Sequence, residues 1–385
     1  MTHIVIIGTG LAGYNLAREL RKRPEDVELT LITRDDGAFY SKPMLSNGLA
    51  KQKQAADLPM GDADKMRADL KARIVTHTAV TAIDREAQSL QLDNGEQVKY
   101  DKLVIATGAN PIRFPIDGDG SDDVLVVNNL DDYAAFRTKL EAKTNHKSSV
   151  AIIGPGLIGC EFANDLAQAG HAVTVIGPDE APMSTLLPTE VGRVLEKALS
   201  DLGVNWCLQL TTSAINKTAT GYELVLSDGQ TVQADLVLSA IGLRSDISLA
   251  EAAGLECQRG IVVDRTLQSS DKNIYALGDC AEVEGLVLPF VMPLMNGARA
   301  LAATLCSEST KVVYPAMPVL VKTPAMTTIV SPPARAAKGE WEFTKLDNGI
   351  KALFKDGEQL LGFALLGDAI SEKQALTKEL PPVLS

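Results

Sequence analysis

The sequence predicts an α/β protein in which two similar domains, each built on a parallel sheet, precede a small α+β C-terminal domain. The first observation is a repeat. Residues 4–13 and residues 150–159 each read as an apolar strand, a GxGxxG turn and the start of a helix. The second is a change of pattern after residue 315, where prolines and short apolar runs replace the alternation of strand and helix. Because each repeat spans a whole domain, the pattern is not that of a solenoid.

Each copy of the repeat continues in the same order. Apolar residues spaced three or four apart give each helix one core-facing side, and a second β-branched or apolar strand follows. Asn-Gly and Asp-Gly pairs then predict a hairpin, and an apolar strand ends the copy. The second strand, hairpin turn and final strand fall at residues 29–32, 93–95 and 103–108 in the first copy, and at 173–176, 228–229 and 236–242 in the second.

The chain beyond the repeat contains a third strand-and-turn signal at residues 273–280, followed by a predicted helix from about residue 295 to residue 306. The last part is predicted to be β-rich and closed by a helix near residues 371–379. Its predicted strands lie at 319–321, 352–354 and 360–366, with a turn at 356–357.

The charge of this 385-residue chain is strongly acidic, with a formal net charge of −12. This argues against a nucleic acid or an anionic membrane as the partner of the whole chain. Residues 311–385 hold nine Lys/Arg and eight Asp/Glu, so this part carries +1 and the remainder −13. The sequence contains no run of about 18 apolar residues that could span a membrane. Its apolar start lacks a preceding Lys or Arg and predicts a buried strand rather than a targeting segment.

The five cysteines are scattered, with no two within twenty residues of each other. This spacing excludes a CxxC redox pair, a zinc ribbon, a local iron–sulfur motif and a CxxCH haem site, and we predict no metal site. It favours a reducing compartment, so a cytoplasmic protein is predicted. Cys160 and Cys280 are expected to pack as small buried side chains.

The two glycine-rich turns predict the chemistry. A helix N-terminus offers unpaired N–H groups and the positive end of the helix dipole, which suit a pyrophosphate. Gly8 allows the tight turn, Gly10 lets the backbone approach the phosphates, and Gly13 lets helix and strand pack closely. The same roles recur at Gly154, Gly156 and Gly159. One isolated motif is compatible with a purely structural turn, but two copies, each between a strand and an amphipathic helix, predict two Rossmann-like dinucleotide-binding folds.

The residues after each second strand bear on the nucleotide that is bound. An acid usually stands there to bind a ribose hydroxyl. Here those positions are Thr33 and Gly177, while Asp35, Asp179 and Glu180 come two or three residues later. Because no arginine stands near Gly177 in the sequence to hold a 2′-phosphate, NADH is favoured over NADPH.

These motifs together resemble the flavoprotein disulfide reductase family, which has two dinucleotide-binding domains. The resemblance covers roughly residues 1–310 and rests on GTGLAG, ATG at 106–108, GPGLIG followed by Glu161, and GD at 278–279. It implies that the first fold binds FAD, that the second binds the nicotinamide cofactor, and that Asp279 binds the ribityl–phosphate part of FAD. Without the family, Asp279 would read as a helix N-cap or an Asx turn.

The resemblance also implies a domain division and further cofactor contacts. The FAD-binding domain is expected at 1–116 and 244–314, the NAD-binding domain at 117–243 and the C-terminal domain at 315–385. Thr33 and Arg34 are expected near the adenosine end of FAD, and Val80 as a backbone contact to adenine. Val291 is expected to contribute backbone near the isoalloxazine, and Lys322 to reach the flavin from the C-terminal domain. The other expected cofactor-binding residues are Gly8, Thr9, Gly10, Leu11, Ala12, Gly13, Thr107, Gly108, Gly154, Gly156, Leu157, Ile158, Gly159 and Gly242.

The segment after the first fold's second strand indicates which branch of the family the chain resembles. The thiol-dependent branches place a reactive cysteine or disulfide there, beside the flavin. Residues 39–46 read FYSKPMLS and contain no cysteine. Disulfide exchange and sulfenate chemistry require a thiolate, so glutathione-reductase, peroxidase and CoA-disulfide chemistry are disfavoured. The ferredoxin-reductase-like branch, which passes single electrons to a metal-centred carrier, is favoured.

Within that branch the chain most resembles the rubredoxin reductases of bacterial alkane oxidation. The matching segments are YSKPMLS at 40–46, VMPLM at 291–295, VKTP at 321–324 and VSPP at 330–333, and the short C-terminal domain also fits. The resemblance implies an NADH:rubredoxin oxidoreductase, in which hydride passes from NADH to FAD and single electrons then pass to the rubredoxin iron.

Two catalytic residues follow from the same resemblance. Lys42 and Glu161 are expected to pair near flavin N5, where an ammonium could polarise the flavin and stabilise charge as hydride arrives. Glu161 is expected to orient Lys42 and to meet the nicotinamide. Without the family, Lys42 would read as a solvated lysine and Glu161 as an acid favoured by the helix dipole.

The predicted partner is rubredoxin, a small acidic iron protein that a chain of charge −12 would repel at long range. Docking is therefore expected on residues 315–385 near the flavin, with Lys322, Lys338 and Lys345 as candidates. The oligomeric state is left open between a monomer and a weak dimer. Two other functions remain open: an NADH:ferredoxin reductase serving an oxygenase, and an FAD-holding, NADH-sensing protein of apoptosis type.

Overall fold

The structure is a computed structural model that describes residues 1–142 and 147–385. Its first third contains the first glycine-rich turn between a strand and a helix, and short 3₁₀ helices over Lys42–Asn47 and Ala55–Asp57. The strands and helices are β1 (Thr2–Ile7), α1 (Leu11–Leu20), β2 (Val27–Ile32), β3 (Phe39–Tyr40), β4 (Pro59–Gly61), α2 (Ala63–Leu70), β5 (Arg73–Val75), β6 (Val80–Asp84), β7 (Ser89–Leu92), β8 (Gln97–Lys99), β9 (Lys102–Ile105) and β10 (Ala109–Pro111).

The middle third repeats this order around the second glycine-rich turn. A 3₁₀ helix at Ser121–Asp123 precedes the first helix of this part. The elements are α3 (Leu130–Glu141), β11 (Ser149–Ile153), α4 (Leu157–Gln168), β12 (Ala172–Gly177), α5 (Thr189–Asp201), β13 (Val204–Leu208), β14 (Thr212–Lys217), β15 (Tyr222–Leu226), β16 (Thr231–Ala234), β17 (Leu236–Ser239) and β18 (Leu243–Ser245).

The last third returns to the first sheet and then forms the β-rich C-terminal part. A 3₁₀ helix over Asp368–Glu372 leads into the final helix. The elements are α6 (Ser248–Ala252), β19 (Ile261–Val263), β20 (Ile274–Ala276), β21 (Ala281–Val283), α7 (Val291–Leu305), β22 (Val319–Val321), β23 (Thr328–Ser331), β24 (Glu340–Leu346), β25 (Gly349–Asp356), β26 (Gln359–Gly367) and α8 (Lys373–Glu379).

Two parallel sheets carry the glycine-rich turns. The first has the strand order β20-β9-β1-β2-β5 and the second β13-β12-β11-β17, so β1 and β11 both lie inside their sheets. Parallel strands present their carboxyl ends at one edge, where ligands of such sheets bind. The hairpins β7–β8 and β15–β16 form at the predicted turns, with Gly95 and Gly229 at positive φ. This arrangement confirms the predicted fold class.

The C-terminal sheet is antiparallel, in the order β22-β23-β26-β25-β24. One face shares a hydrophobic core with α5, in which Ile350 and Ala352 lie in the same cluster as Leu195 and Leu199. The other face is covered by α8 through Leu376. The sheet is therefore packed firmly against the middle of the chain, and β22 and β24 lie at its opposite edges.

Two helix predictions need correction at their ends. Helix α7 begins at Val291, before the predicted residue 295, because Pro293 falls within its first turn, where a missing N–H costs no hydrogen bond. The predicted helix at 371–379 begins as a 3₁₀ helix at Asp368 and becomes α8 at Lys373. Among the described residues, no helix is long and apolar enough to cross a membrane.

Candidate functional site

The two glycine-rich turns have the same backbone geometry. Gly8 and Gly154 have φ of +108° and +114°, and an added Cβ would lie 2.4 Å and 2.5 Å from the carbonyl oxygens of Ala106 and Ala240. Only glycine allows both the positive φ and this close approach to the neighbouring strand. An added Cβ on Gly13 or Gly159 would likewise lie 2.0 Å or 1.9 Å from the carbonyl oxygen of Gly8 or Gly154, so helix and strand pack too closely for any side chain.

The middle glycine of each turn faces open space. An added Cβ on Gly10 or Gly156 would meet no atom within 4 Å. These two residues are the N-caps of α1 and α4, and neither helix start has a side-chain cap or an acidic residue in its first turn. The first N–H groups of both helices are therefore left for a ligand, and an anion is what they suit. Both turns fit the pyrophosphate of a dinucleotide.

One cavity of about 1590 Å³ joins the two turns. All the predicted cofactor-binding residues line it except Gly13 and Gly159, which lie behind the turns and shape them. The lining residues among those predicted are Gly8, Thr9, Gly10, Leu11, Ala12, Thr33, Arg34, Lys42, Val80, Thr107, Gly108, Gly154, Gly156, Leu157, Ile158, Glu161, Gly242, Asp279, Val291 and Lys322.

Asp35 is a cavity residue whose role the sequence did not reveal. Its Oδ1 accepts hydrogen bonds from the Thr9 hydroxyl at 3.3 Å, the Thr33 hydroxyl at 2.6 Å and the Gly37 backbone N–H at 2.9 Å. The acid that stands two residues late is thus folded back to the end of β2, where a ribose-binding acid belongs. The position of Asp35 depends on the turn that follows β2, so the spacing of the sequence alone does not show it.

Lys42 and Asp279 face each other across the first half of the cavity. Burial lowers the pKa of Lys42, opposed by the negative charges of Asp279 and Asp132. Burial likewise raises the pKa of Asp279, opposed by the Lys42 ammonium. Each partner therefore favours the charged form of the other, and both side chains are half-buried in the cavity wall.

Glu161 is held differently from the prediction. Its carboxylate forms an ion pair with the Nζ of Lys322, accepts the Lys322 backbone N–H at 2.9 Å and accepts the Ser46 hydroxyl at 2.6 Å. The expected pair between Lys42 and Glu161 is not formed in the described part of the chain. The reason is topological: β22 brings the following residue, Lys322, to α4, whereas Lys42 interacts electrostatically with Asp279 and Asp132.

The cysteines that lie near the site are buried thiols. The Cys160 S–H donates to the Pro155 carbonyl at 3.3 Å, and the Cys280 S–H donates to the carbonyls of Ile105 and Leu277 at 3.4 Å. Burial raises the pKa of both thiols above the ordinary value. Neither has the thiolate character that disulfide exchange requires.

The lysines proposed for docking lie in different places. Lys322 lines the cavity, but its ammonium is already paired with Glu161. Lys338 and Lys345 are exposed and do not line the cavity, because they precede and belong to β24, at the edge of the sheet opposite β22. Lys373, at the start of α8, does line the cavity.

A family model described as "Pyridine nucleotide-disulphide oxidoreductase" matches residues 2–302. The chain belongs to this family. A second model, "Rubredoxin binding C-terminal domain", matches residues 311–380. Membership confirms the oxidoreductase class implied by the family resemblance and the predicted use of FAD and NADH as cofactors.

Whole-chain relatives carry both parts. The chain is 47% identical to the "Rubredoxin-NAD(+) reductase" of Acinetobacter baylyi, covering 100% of this chain and 99% of that protein. It is 45% identical to the protein of the same name from Alcanivorax borkumensis, covering 100% of both. Among solved structures, a covalent putidaredoxin reductase–putidaredoxin complex matches with a TM-score of 0.88 at 25% identity, over 99% of this chain and 94% of that one.

Proposed function

We propose that the chain is an NADH:rubredoxin oxidoreductase. The observation that carries this proposal is the position of Lys322. This residue belongs to the part that matches a rubredoxin-binding domain, lines the cavity of the two dinucleotide turns and pairs with Glu161 beside the second turn. The names of the two whole-chain relatives support the same partner.

The residues present divide the cavity between two ligands. The turn of residues 8–13, together with Thr33, Asp35 and Asp279, would hold FAD, and the turn of residues 154–159 would hold NADH. When bound, FAD supplies the conversion of a hydride into single electrons, which no side chain of this site can perform. The protein's contribution is alignment, because holding reacting groups in register removes much of the entropic barrier.

Lys42 is proposed to hold positive charge at the junction between the two halves. The negative charge of Asp279 helps to keep Lys42 as an ammonium in a half-buried part of the cavity, where a charge acts more strongly than it does in bulk solvent. A preorganised ammonium stabilises negative charge that develops during hydride arrival. Glu161, kept in place by Lys322 and Ser46, is proposed to border the nicotinamide.

The proposed docking surface is the apolar rim of the cavity. Val291 and Met292 at the start of α7 are 40% and 50% exposed, and Leu320 on β22 is 54% exposed; all three line the cavity. Lys373 lies on the same rim and offers a cation to an acidic partner. Lys338 and Lys345 are proposed to contribute little, since they lie at the far edge of the C-terminal sheet.

The biological setting and the domain division are proposals of the same kind. Five free cysteines support a reducing compartment, and we propose the cytoplasm. An electron-transfer chain that serves an alkane hydroxylase is proposed as the consumer of the electrons. The separate sheets support a division into 1–116 with 244–314, 117–243 and 315–385.

The test compares acceptors. NADH oxidation is measured with rubredoxin, with a [2Fe–2S] ferredoxin and with ferricyanide, at low and high salt. We expect rubredoxin to support fast turnover and ferredoxin slow turnover. K373E is expected to lower the rubredoxin rate at low salt and to leave the ferricyanide rate unchanged, while K345E leaves both unchanged. Faster turnover with ferredoxin would refute the proposed partner, and equal loss in both assays for K373E would refute the proposed rim.

A further inference from the structure

Helix α4 carries three polar side chains on one buried face. Glu161, Asn164 and Asp165 stand at positions i, i+3 and i+4, so they are neighbours on the helix surface. Their residues are 0%, 1% and 5% exposed. Burying two carboxyl groups and an amide costs free energy unless each is hydrogen-bonded. What these groups bind therefore indicates why they are there.

Asp165 binds the segment on the flavin side of the cavity. Its two carboxylate oxygens accept the backbone N–H groups of Leu49 and Ala50, each at 2.9 Å. These two residues follow directly on the 3₁₀ helix Lys42–Asn47, of which Lys42 and Ser46 line the cavity. Asp165 thus attaches the end of the lysine-bearing segment to the helix that begins at the second glycine-rich turn.

Asn164 and Glu161, on the same face of α4 as Asp165, bind the C-terminal domain. The Asn164 Oδ1 accepts the backbone N–H of Ala325 at 3.0 Å, and Glu161 accepts the backbone N–H of Lys322 at 2.9 Å. Both residues lie in the segment that follows β22. One helical face therefore fixes two separate segments, and both segments contribute to the cavity wall.

We propose that Asp165 and Asn164 are positioning residues that align the two halves of the cavity. Within the described residues, neither side chain lines the cavity, so neither acts by touching a cofactor. Instead, the two side chains set how the flavin-side segment and the C-terminal loop approach α4. The inference rests on the proposed function, since the groups being aligned are the proposed flavin and nicotinamide sites.

The electrostatics of Asp165 agree with an alignment role. Burial raises its pKa, and the two amide donors together with Arg137 and Lys51 oppose that rise. A buried carboxylate is a costly way to fill space, and an apolar side chain would be a cheaper one. Its use is explained by the two N–H groups, which its two carboxylate oxygens accept separately.

Glu282 provides a matched control. It is also a buried carboxylate, 3% exposed, and its Oε2 accepts two backbone N–H groups, those of Arg259 and Gly260, at 2.8 Å and 2.9 Å. It does not line the cavity, and its partners lie within the β19–β21 region rather than across two segments that face the cavity. E282Q removes the same charge as D165N without the bridging geometry.

The experiment compares D165N, N164L and E282Q as FAD-loaded proteins. Hydrogen–deuterium exchange is expected to rise at residues 49–50 in D165N, at residue 325 in N164L and at residues 259–260 in E282Q. The rate of flavin reduction at saturating NADH is expected to fall about tenfold in D165N, because small misplacements of reacting groups have large effects on rate. E282Q is expected to keep the wild-type rate, and FAD content to be unchanged in all three.

Two results would overturn the alignment role. One is a D165N protein with raised exchange at residues 49–50 but a reduction rate within twofold of wild type. The other is an equal slowing in D165N and E282Q, which would show a general effect of losing a buried carboxylate. Failure of the proposed function itself would look different, because the wild-type protein would then also fail to be reduced rapidly by NADH.

Discussion

The two glycine-rich turns are alike in backbone and different in surroundings. In both, the first glycine has a strongly positive φ, the last packs on the first, and the middle one faces open space. The first turn is flanked by polar groups, since Asp35 links the hydroxyls of Thr9 and Thr33. The second is flanked by Pro155, against which Gly177 packs so closely that an added Cβ would lie 2.1 Å from the proline Cδ. The shared part suits any dinucleotide, so the surroundings must distinguish the ligands.

The helices that follow the turns differ as well. The buried residues of α1 are almost all apolar, and the helix contributes to the core of the first sheet. The buried residues of α4 include Glu161, Asn164 and Asp165, which bind two other segments. The proposed assignment therefore gives the first turn the retained cofactor. It gives the second turn the exchanging ligand, with its helix held in a fixed relation to the rest of the cavity by Glu161, Asn164 and Asp165.

The largest expected effect comes from closing the open space at each turn. Gly10 and Gly156 have negative φ and no atom near an added Cβ, so G10V and G156V should fold with little strain while occupying the phosphate space. G10V is expected to lose FAD on purification. G156V is expected to keep FAD and to be reduced by NADH only very slowly. FAD absorbance per chain and stopped-flow reduction measure both outcomes, and retention of FAD by G10V would contradict the assignment.

The next largest effect is expected from Lys42, which lines the cavity that joins the two turns. K42M is expected to slow flavin reduction about 10²-fold, the size of effect seen when one preorganised donor is removed. FAD content should change little. In the wild type, reduction should fall as pH rises through the lowered pKa of Lys42, because the ammonium is then lost. K42R should move that decline to higher pH. A pH profile unaffected by K42R would count against a role for this charge.

The lowered pKa of Lys42 also predicts that stability rises with pH, whereas the reduction rate falls. Because the pKa of Lys42 is lower in the folded than in the unfolded chain, the unfolded chain binds more protons between the two pKa values. The free energy of unfolding should therefore increase as pH rises between these two pKa values. K42M should not show this increase. Denaturant unfolding of both proteins across the alkaline range measures the difference.

A smaller effect is expected from the polar group found at the first turn alone. D35A removes the acceptor of three hydrogen bonds, two from hydroxyls and one from a backbone N–H. FAD affinity is expected to fall about tenfold, since hydrogen bonds to a charged group contribute about 1.5–3 kcal/mol. D179A, the corresponding change after β12, should raise the KM for NADH and leave FAD binding unchanged. Equal effects on FAD in the two variants would remove the distinction between the turns.

The sequence predicted those elements of the fold that depend on local pattern. The strand–turn–helix units around Gly8 and Gly154 formed as expected, because hydrophobic periodicity and the φ of glycine are local properties. Strand β24 was missed although Trp341 and Phe343 alternate with polar residues, because this alternation is short and six of the seven residues of the strand are exposed. The partner of Glu161 was wrong for a different reason. Only Lys42 was expected as its partner, and only the path of β22 brings Lys322, 161 residues away in sequence, to Glu161.

The hydrogen bonds that Asn164 and Asp165 of α4 accept from other segments were also not predicted from the sequence. Asn164 and Asp165 read as polar residues of an amphipathic helix, and their partners lie 161 and 115 or 116 residues away. Pattern cannot show that a polar residue is buried when its partners are distant backbone amides. Asp35 shows the same limit over a shorter range, because a two-residue turn returns it to the position where the acid was expected.

The most direct test of the distinction between the turns is an anaerobic NADH titration of desalted protein, followed by addition of oxidised rubredoxin. A resident FAD predicts that flavin absorbance survives desalting, is bleached by about one NADH per chain and returns when rubredoxin is added, because one hydride carries two electrons. G156V should show the same absorbance before NADH and little bleaching after it. Loss of the wild-type flavin on desalting, or bleaching of G156V as readily as the wild type, would contradict the distinction between the two turns.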